Sequence, residues 1–247
     1  MCDKLDFEEL FNDASVLGNL NTFLDTSRFR DILCKLTKNE EFINLNCEYY
    51  SCDEFNTKFN KFKSNIEISV LHLNIRSLNS KIREFCTLVH LLDINFDAII
   101  LSEVWKYNLE FYSNILDGYK LFYKLPTLSA VGGVAIFVKS SIHSKIREDF
   151  TLSSTAVKCE SLFLEIRKNK TKYILGGIYR HPNQSIDLFA DTLQMILNKI
   201  SSSKSPCILA GDFNIDLIKS ETNTCTGNYL KNLLLHNFLP VVLIPTR

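Results

Sequence analysis

Residues 207–216 read CILAGDFNID: an apolar run from Cys207 to Ala210, then Gly211, then a polar exit through Asp212, Asn214 and Asp216. A short apolar run closed by a glycine reads as a buried strand ending in a turn that Gly211 supplies. Alternate side chains of an extended chain share a face, so Asp212 and Asn214 are expected to point the same way. A carboxylate and an amide at one strand end can serve a cation or a phosphate, which directs attention to the other strand ends.

Upstream, SIDLFADTLQMILNKIS places Leu188, Phe189, Leu193, Ile196, Leu197 and Ile200 at helical spacing behind an acidic first turn. Before it lie four apolar, β-rich runs without an intervening helix: YKLFYKL, GGVAIFVK, CESLFLEI and KYILGGIYR. Further upstream, SVLHLN and FDAIILSE are strands, separated by SLNSKIREFCTLVHLLD. There Leu78, Ile82, Phe85, Val89 and Leu92 mark a helix with Ser or Asn available as its cap. TGNYLKNLLLHN adds a last helix. Helices between the first and last strand pairs, with bare strands in the middle, argue for two sheets covered by helices and against a doubly wound parallel sheet. Residues 1–65 are polar and spotted with aromatics, with helix-like patches such as FEELFNDASVLGNL and FRDILCKL. A boundary is expected near residue 65, leaving an unassigned extension or linker at 1–65 and the main domain at 66–247.

The 247 residues are 46% hydrophobic, enough for a full core, and carry no net charge, so there is no global signature of nucleic-acid binding. Eight cysteines form no CxxC pair. Cys47 and Cys52 lack two further zinc ligands at suitable spacing, and cysteines inside apolar runs suit small buried side chains in a reducing compartment. The acidic start MCDKLDFEEL is not a secretory signal, and no run approaches the roughly 20 apolar residues of a membrane span. An intracellular protein is expected.

The other strands repeat the pattern of the opening stretch. LHLN ends in Asn74, IILSE in Glu103 and GGIY in Tyr179, and the same period pairs His72 with Asn74 and Tyr179 with His181. Singly these are ordinary: an Asn after a strand is a turn residue, Glu103 a cap, Tyr179 a half-buried ring. Together they supply two carboxylates, two amides and a phenol. Mg²⁺ takes oxygen ligands and keeps several waters, so one or two carboxylates plus a substrate phosphate can hold it, with Mn²⁺ an alternative. Phosphodiester hydrolysis needs neutralised oxygens, a deprotonated water and a stabilised leaving group. In that chemistry Glu103 carries the metal and Asp212 orients or deprotonates the water. Asn74, Asn214 and Tyr179 donate hydrogen bonds to the phosphate.

In this order, LHLNIRSL, LSEVW, GGVAIFVK, GGIYRHP and ILAGDFNID resemble the endonuclease/exonuclease/phosphatase superfamily, over about residues 68–247. The similarity is greatest to the apurinic-type endonuclease domain of LINE-like (non-LTR, jockey-like) retrotransposons. It implies a four-layered α/β sandwich of the deoxyribonuclease I type. The implied activity is a Mg²⁺-dependent nick in DNA that leaves a 3′-hydroxyl, which primes a downstream reverse transcriptase in the nucleus. Carried over by residue, Glu103 is the metal ligand, Asp212 activates or positions water, Asn214 is its neighbour at the phosphate, Tyr179 donates to the phosphate and Asn74 supports the metal region.

Two departures stand out. Repair relatives carry an Asp two residues after the first Asn, where this chain has Arg76. The family also closes its site with an Asp and a Ser-Asp-His motif beyond a PTR-like stretch, and this sequence stops at Arg247 within IPTR. A truncated retroelement fragment, weak or inactive and lacking the last strands of one sheet, is therefore the expectation; His181 in the YRHP loop is a poor substitute for the missing His. The alternatives are a non-catalytic relic that at most binds nucleic acid, and a phosphatase of the same superfamily.

Overall fold

Among the described residues, eight strands arrange in two mixed sheets. In the computed structural model, which describes residues 49–62, 64, 66–127, 129–152 and 157–241, residues Ser51–His236 form one compact unit, and the following concerns that unit. The helix-like patches expected at 7–20 and 29–36, Cys47 and the IPTR end lie outside the described residues.

The first sheet contains β1 (Val70–Asn74), β2 (Ala98–Ser102), β3 (Tyr119–Lys124) and β4 (Val134–Lys139), in the order β1-β2-β4-β3. The second contains β5 (His143–Ile146), β6 (Cys159–Lys168), β7 (Thr171–Arg180) and β8 (Cys207–Asp212), in the order β5-β6-β7-β8. Two pairs are parallel, β1 with β2 and β7 with β8; the other neighbours are antiparallel. Parallel neighbours need a crossover, and helix α2 (Ile82–Leu91) and helix α3 (Ile186–Ser203) provide the two.

Period-two alternation explains the layering. Ile99, Leu101, Ala135 and Phe137 pack with Phe85 and Leu88 of α2 and with Phe96, on the helix side of the first sheet. Their neighbours Ala98, Ile100, Val134, Ile136 and Val138 meet Leu162, Leu164, Ile166, Tyr173 and Leu175 of the second sheet. Both faces of β2 and β4 are thus apolar, which is why these strands read as continuous hydrophobic runs. Gly177 sets how closely the sheets approach: a Cβ there would lie 2.5 Å from a Val134 methyl. On the far side, Phe189 of α3 packs against Phe213 and against Tyr229 of α4 (Thr224–Leu235), completing a helix, sheet, sheet, helix stack. Helix α1 (Cys52–Phe62), upstream of the boundary expected near residue 65, lays Phe55 and Phe59 on Phe96.

Several local expectations are corrected. Gly211 makes no turn: it lies inside β8 opposite Ile178 with φ +153°, and a Cβ there would sit 1.7 Å from the Ile178 carbonyl oxygen. Helix α2 begins at Ile82 with Lys81 at its N-cap and no side-chain cap, so the expected Ser or Asn cap is absent, while Leu78 is buried ahead of the helix. Helix α3 does have its cap: the Ser185 hydroxyl accepts from the Leu188 amide. Leu188 itself is exposed, because the buried stripe runs through Phe189, Leu193, Ile196, Leu197 and Ile200. Among the described residues no helix is long and apolar enough to cross a membrane.

Candidate active site

Because β1 and β2 run parallel, as do β7 and β8, each pair ends together at one edge, and the two edges face each other across the sandwich. Asn74 pairs with Ser102 at the end of the first sheet, and Tyr179 with Asp212 at the end of the second. The Asn74 carboxamide joins them. Its Nδ2 donates to Glu103 Oε1 at 2.8 Å and to Asp212 Oδ2 at 2.7 Å. An amide oxygen facing two carboxylates would be repelled, so this orientation is fixed by charge.

Two departures from expectation follow. Both Nδ2 hydrogens of Asn74 serve the carboxylates, so it holds them in place and has no N–H left for a phosphate. Asn214 lies past the end of β8 with φ +49°, where a two-residue period no longer applies. Its backbone N–H donates to Asp212 Oδ1 at 3.1 Å and its amide to the Arg180 carbonyl at 2.6 Å. Asn214 therefore steadies Asp212 from the loop side.

Glu103 is held by a backbone bend. It sits one residue beyond β2 with φ +57°, and its carbonyl accepts from the Ser77 amide at 2.7 Å. Arg76, Ser77, Trp105 and Asn214 also have positive φ, so left-handed non-glycine residues gather around this edge. Such conformations cost of order 1–3 kcal/mol each and persist where surrounding contacts dictate them.

Two neighbours, Arg180 and Glu160, were not singled out from the sequence, and His72 was noted there only as the same-face partner of Asn74. Arg180 is only 2% exposed, and its guanidinium donates to the carbonyls of Phe213, Asn214 and Gln184 at 2.6, 2.5 and 2.7 Å. Burial pushes its pKa down, opposed by the nearby Tyr229 and Asp212. It pins the loop that carries Asn214. His72, two residues before Asn74, shares a hydrogen bond of 3.1 Å with the buried Ser102 hydroxyl; burial pushes its imidazole down to about 4, against the pull of Asp212, so it is neutral at pH 7. Glu160 is buried opposite Tyr179, accepting from the Gly133 amide at 3.1 Å and from His181 Nε2 at 3.1 Å, and the His181 ring meets Tyr179 edge-on at 4.9 Å. His181 is thus engaged with Glu160. A charge inside an otherwise apolar strand was the available signal for Arg180 in YILGGIYR and for Glu160 in CESLFLEI.

The donor set suits a hard divalent cation. Two carboxylates converge on one amide, and Asn74 Oδ1 is buried without a hydrogen-bond partner. That pairing matches the few carboxylates and retained waters of Mg²⁺ binding. Among the described residues no group of three or more His, Cys, Asp and Glu is placed to hold a metal ion. Burial pushes the Cys159 thiol up to about 11 and the Cys207 thiol up to about 12.

No curated protein sequence matches the chain. Among solved structures it is similar to the endonuclease domain of TRAS1, a telomere-specific non-LTR retrotransposon, with TM-score 0.51 and 14% identity over 68% of this chain and 72% of that one. A D. rerio TDP2 chain complexed with single-strand DNA product aligns with TM-score 0.49 and 16% identity over 70% of this chain and 66% of that one. The 3′ phosphatase NExo from Neisseria, bound to a product DNA hairpin, gives TM-score 0.48 and 14% identity over 68% and 71%. At these identities the TRAS1 likeness speaks to the fold alone. Residues 71–238, spanning every strand end described above, match the family model as well, and the chain belongs to the Endonuclease/Exonuclease/phosphatase family.

Proposed function

We propose that this chain carries a divalent-cation-dependent DNA phosphodiesterase site, the nicking endonuclease of a non-LTR retroelement. The observation that carries the reading is the Asn74 amide bridging Glu103 and Asp212 from opposite sheets. A hard cation such as Mg²⁺ or Mn²⁺ would be held by Glu103, with Asp212 as the second carboxylate, and would supply charge to a phosphate and acidify water. Asp212, held by Asn74 and by the Asn214 amide, is the group placed to orient water and take its proton. Tyr179, fixed against His181, is the phenol for a phosphate oxygen.

The retroelement assignment rests on the wording of LHLNIRSL and GGIYRHP. It implies DNA as substrate, a 3′-hydroxyl product and a reverse transcriptase acting on that end. In this reading the catalytic domain begins near residue 66, and α1 is the part of the preceding extension that docks on its core. The activity expected is weak: supercoiled plasmid incubated with Mg²⁺ gives open circles slowly, and a DNA polymerase extends them without phosphatase treatment. Asp212→Ala and Glu103→Gln are expected to abolish them. Nicks insensitive to both substitutions, or none at all, would sink the reading.

A further inference from the structure

Beyond Glu103 the chain builds an aromatic ledge that the core does not require. Trp105, Tyr107 and Phe111 are 36%, 42% and 72% exposed. Tyr107 is the middle of the cluster, with its ring centroid 6.4 Å from Phe111 and 5.9 Å from Tyr112. The ledge is rooted. Leu109 is fully buried, Tyr112 packs against the core of the first sheet and its hydroxyl donates to Asn79 Oδ1. Its near end is tied down as well: the amides of Trp105 and Lys106 donate to the carbonyls of Gly132 and Ala130, each at 2.8 Å. Trp105 holds φ +63°, a conformation a bulky residue rarely adopts, and the loop keeps its ring partly in solvent all the same.

We infer that Trp105, Tyr107 and Phe111 form a stacking platform for unpaired bases of single-stranded DNA next to the scissile phosphate. This rests on the reading of the Glu103–Asp212 pair as a DNA phosphodiesterase site. Tyr107 is four residues past Glu103, so its Cα lies within about 14 Å of that residue, the reach of a few nucleotides. Lys106, exposed between Trp105 and Tyr107, adds a cation beside the rings. Aromatic faces interleaved with a cation are the chemistry that holds single strands without regard to sequence. The chain has no net charge, so overall attraction to phosphate is weak and stacking adds affinity that net charge does not supply. Large exposed rings held in place by their supports cost little further order on binding.

Trp105 is the only tryptophan of the 247 residues, so its fluorescence reports on the ledge alone. The full chain, in EDTA so that nothing is cleaved, is titrated with a short oligothymidylate and with a hairpin duplex. The single strand is expected to quench Trp105 emission and bind more tightly than the duplex. Phe111→Ala and Tyr107→Ala are expected to weaken it about 5-fold or more, the size of one stacked base. Phe111 is so exposed that its replacement leaves the fold intact, and a matching far-ultraviolet spectrum checks this. Unaltered emission, equal affinity in both variants, or preference for duplex overturns the inference. Concentration-dependent self-association that Phe111→Ala abolishes, without quenching by DNA, also overturns it in favour of a second copy as the occupant. Asp212→Ala separates the two readings. Plasmid nicking lost in that variant without any DNA quenching refutes the ledge alone, and quenching without nicking in the unsubstituted chain refutes the catalytic reading alone.

Discussion

Single atoms decide much at this edge. Gly211 has no room for a methyl group, since the position of a Cβ falls on the Ile178 carbonyl of the neighbouring strand and φ is +153°. Backbone cannot yield as a side chain can, so Gly211→Ala is expected to cost roughly 3 kcal/mol or more. Urea unfolding should show a lowered midpoint with unchanged slope; a loss below about 1 kcal/mol would mean that β8 shifts at little cost. Arg180 acts on a different atom set, because three carbonyls converge on one buried guanidinium. Lysine keeps the charge but cannot span three divergent acceptors. Arg180→Lys is therefore expected to speed hydrogen exchange at the Asn214 amide, which caps Asp212, more than at the amides of β6. Equal protection of Asn214 in both proteins would show that the loop holds itself.

Between elements, the end of the sandwich away from the site is tied by Asp97. Its carboxylate accepts from the Ser69 amide at 2.8 Å and the Ser69 hydroxyl at 3.1 Å, and meets Lys168 of β6 at 2.8 Å and Lys139 of β4 at 3.6 Å. Burial alone would raise its pKa, but Lys168 and Ser69 outweigh it and hold the carboxyl below its ordinary value. A depressed carboxyl stabilises the fold above the unfolded value of about 4 and loses that contribution as pH falls through its folded value. The stability gap between the natural protein and Asp97→Asn should thus hold from neutral pH down to about 4 and close below it. A gap that does not change with pH would assign Asp97 a packing role only. Such cross-sheet ties are invisible in sequence, since Asp97 and Lys168 are 71 positions apart. The strands themselves were legible where burial on both faces made them uniformly apolar, as in AIILS and VAIFVK. β5, with the sequence HSKI, was missed because an exposed edge strand needs no apolar run. Gly211 was misread for a related reason: glycine marks a close backbone approach as often as a turn, and only the partner strand distinguishes the two.

The candidate site belongs to the molecule as a whole, because it exists only where the two sheets meet. Asn74 and Glu103 come from the first sheet and Asp212 from the second, and a single amide separates the two carboxylates. Its residue types were readable from strand ends, but the division of labour was not: that Asn74 spends its donors on Glu103 and Asp212 depends on how two sheets 138 residues apart in sequence face each other. Two like charges held on one donor repel each other, and a cation between them would relieve that repulsion. Neutralising either one should therefore raise the melting temperature in EDTA, as is common where activity is kept at the expense of stability. Mg²⁺ should raise it for the natural protein too, adding about 2.7 kcal/mol of stability at 100 times its Kd, since only the folded chain brings the carboxylates together. Glu103→Gln and Asp212→Asn should show the gain in EDTA and lose most of the gain from Mg²⁺. Thermal unfolding of the three proteins with and without the ion makes the comparison. If both variants melt below the natural protein in EDTA and all three respond alike to Mg²⁺, the carboxylate pair is a structural hydrogen-bond network and the cation binds elsewhere.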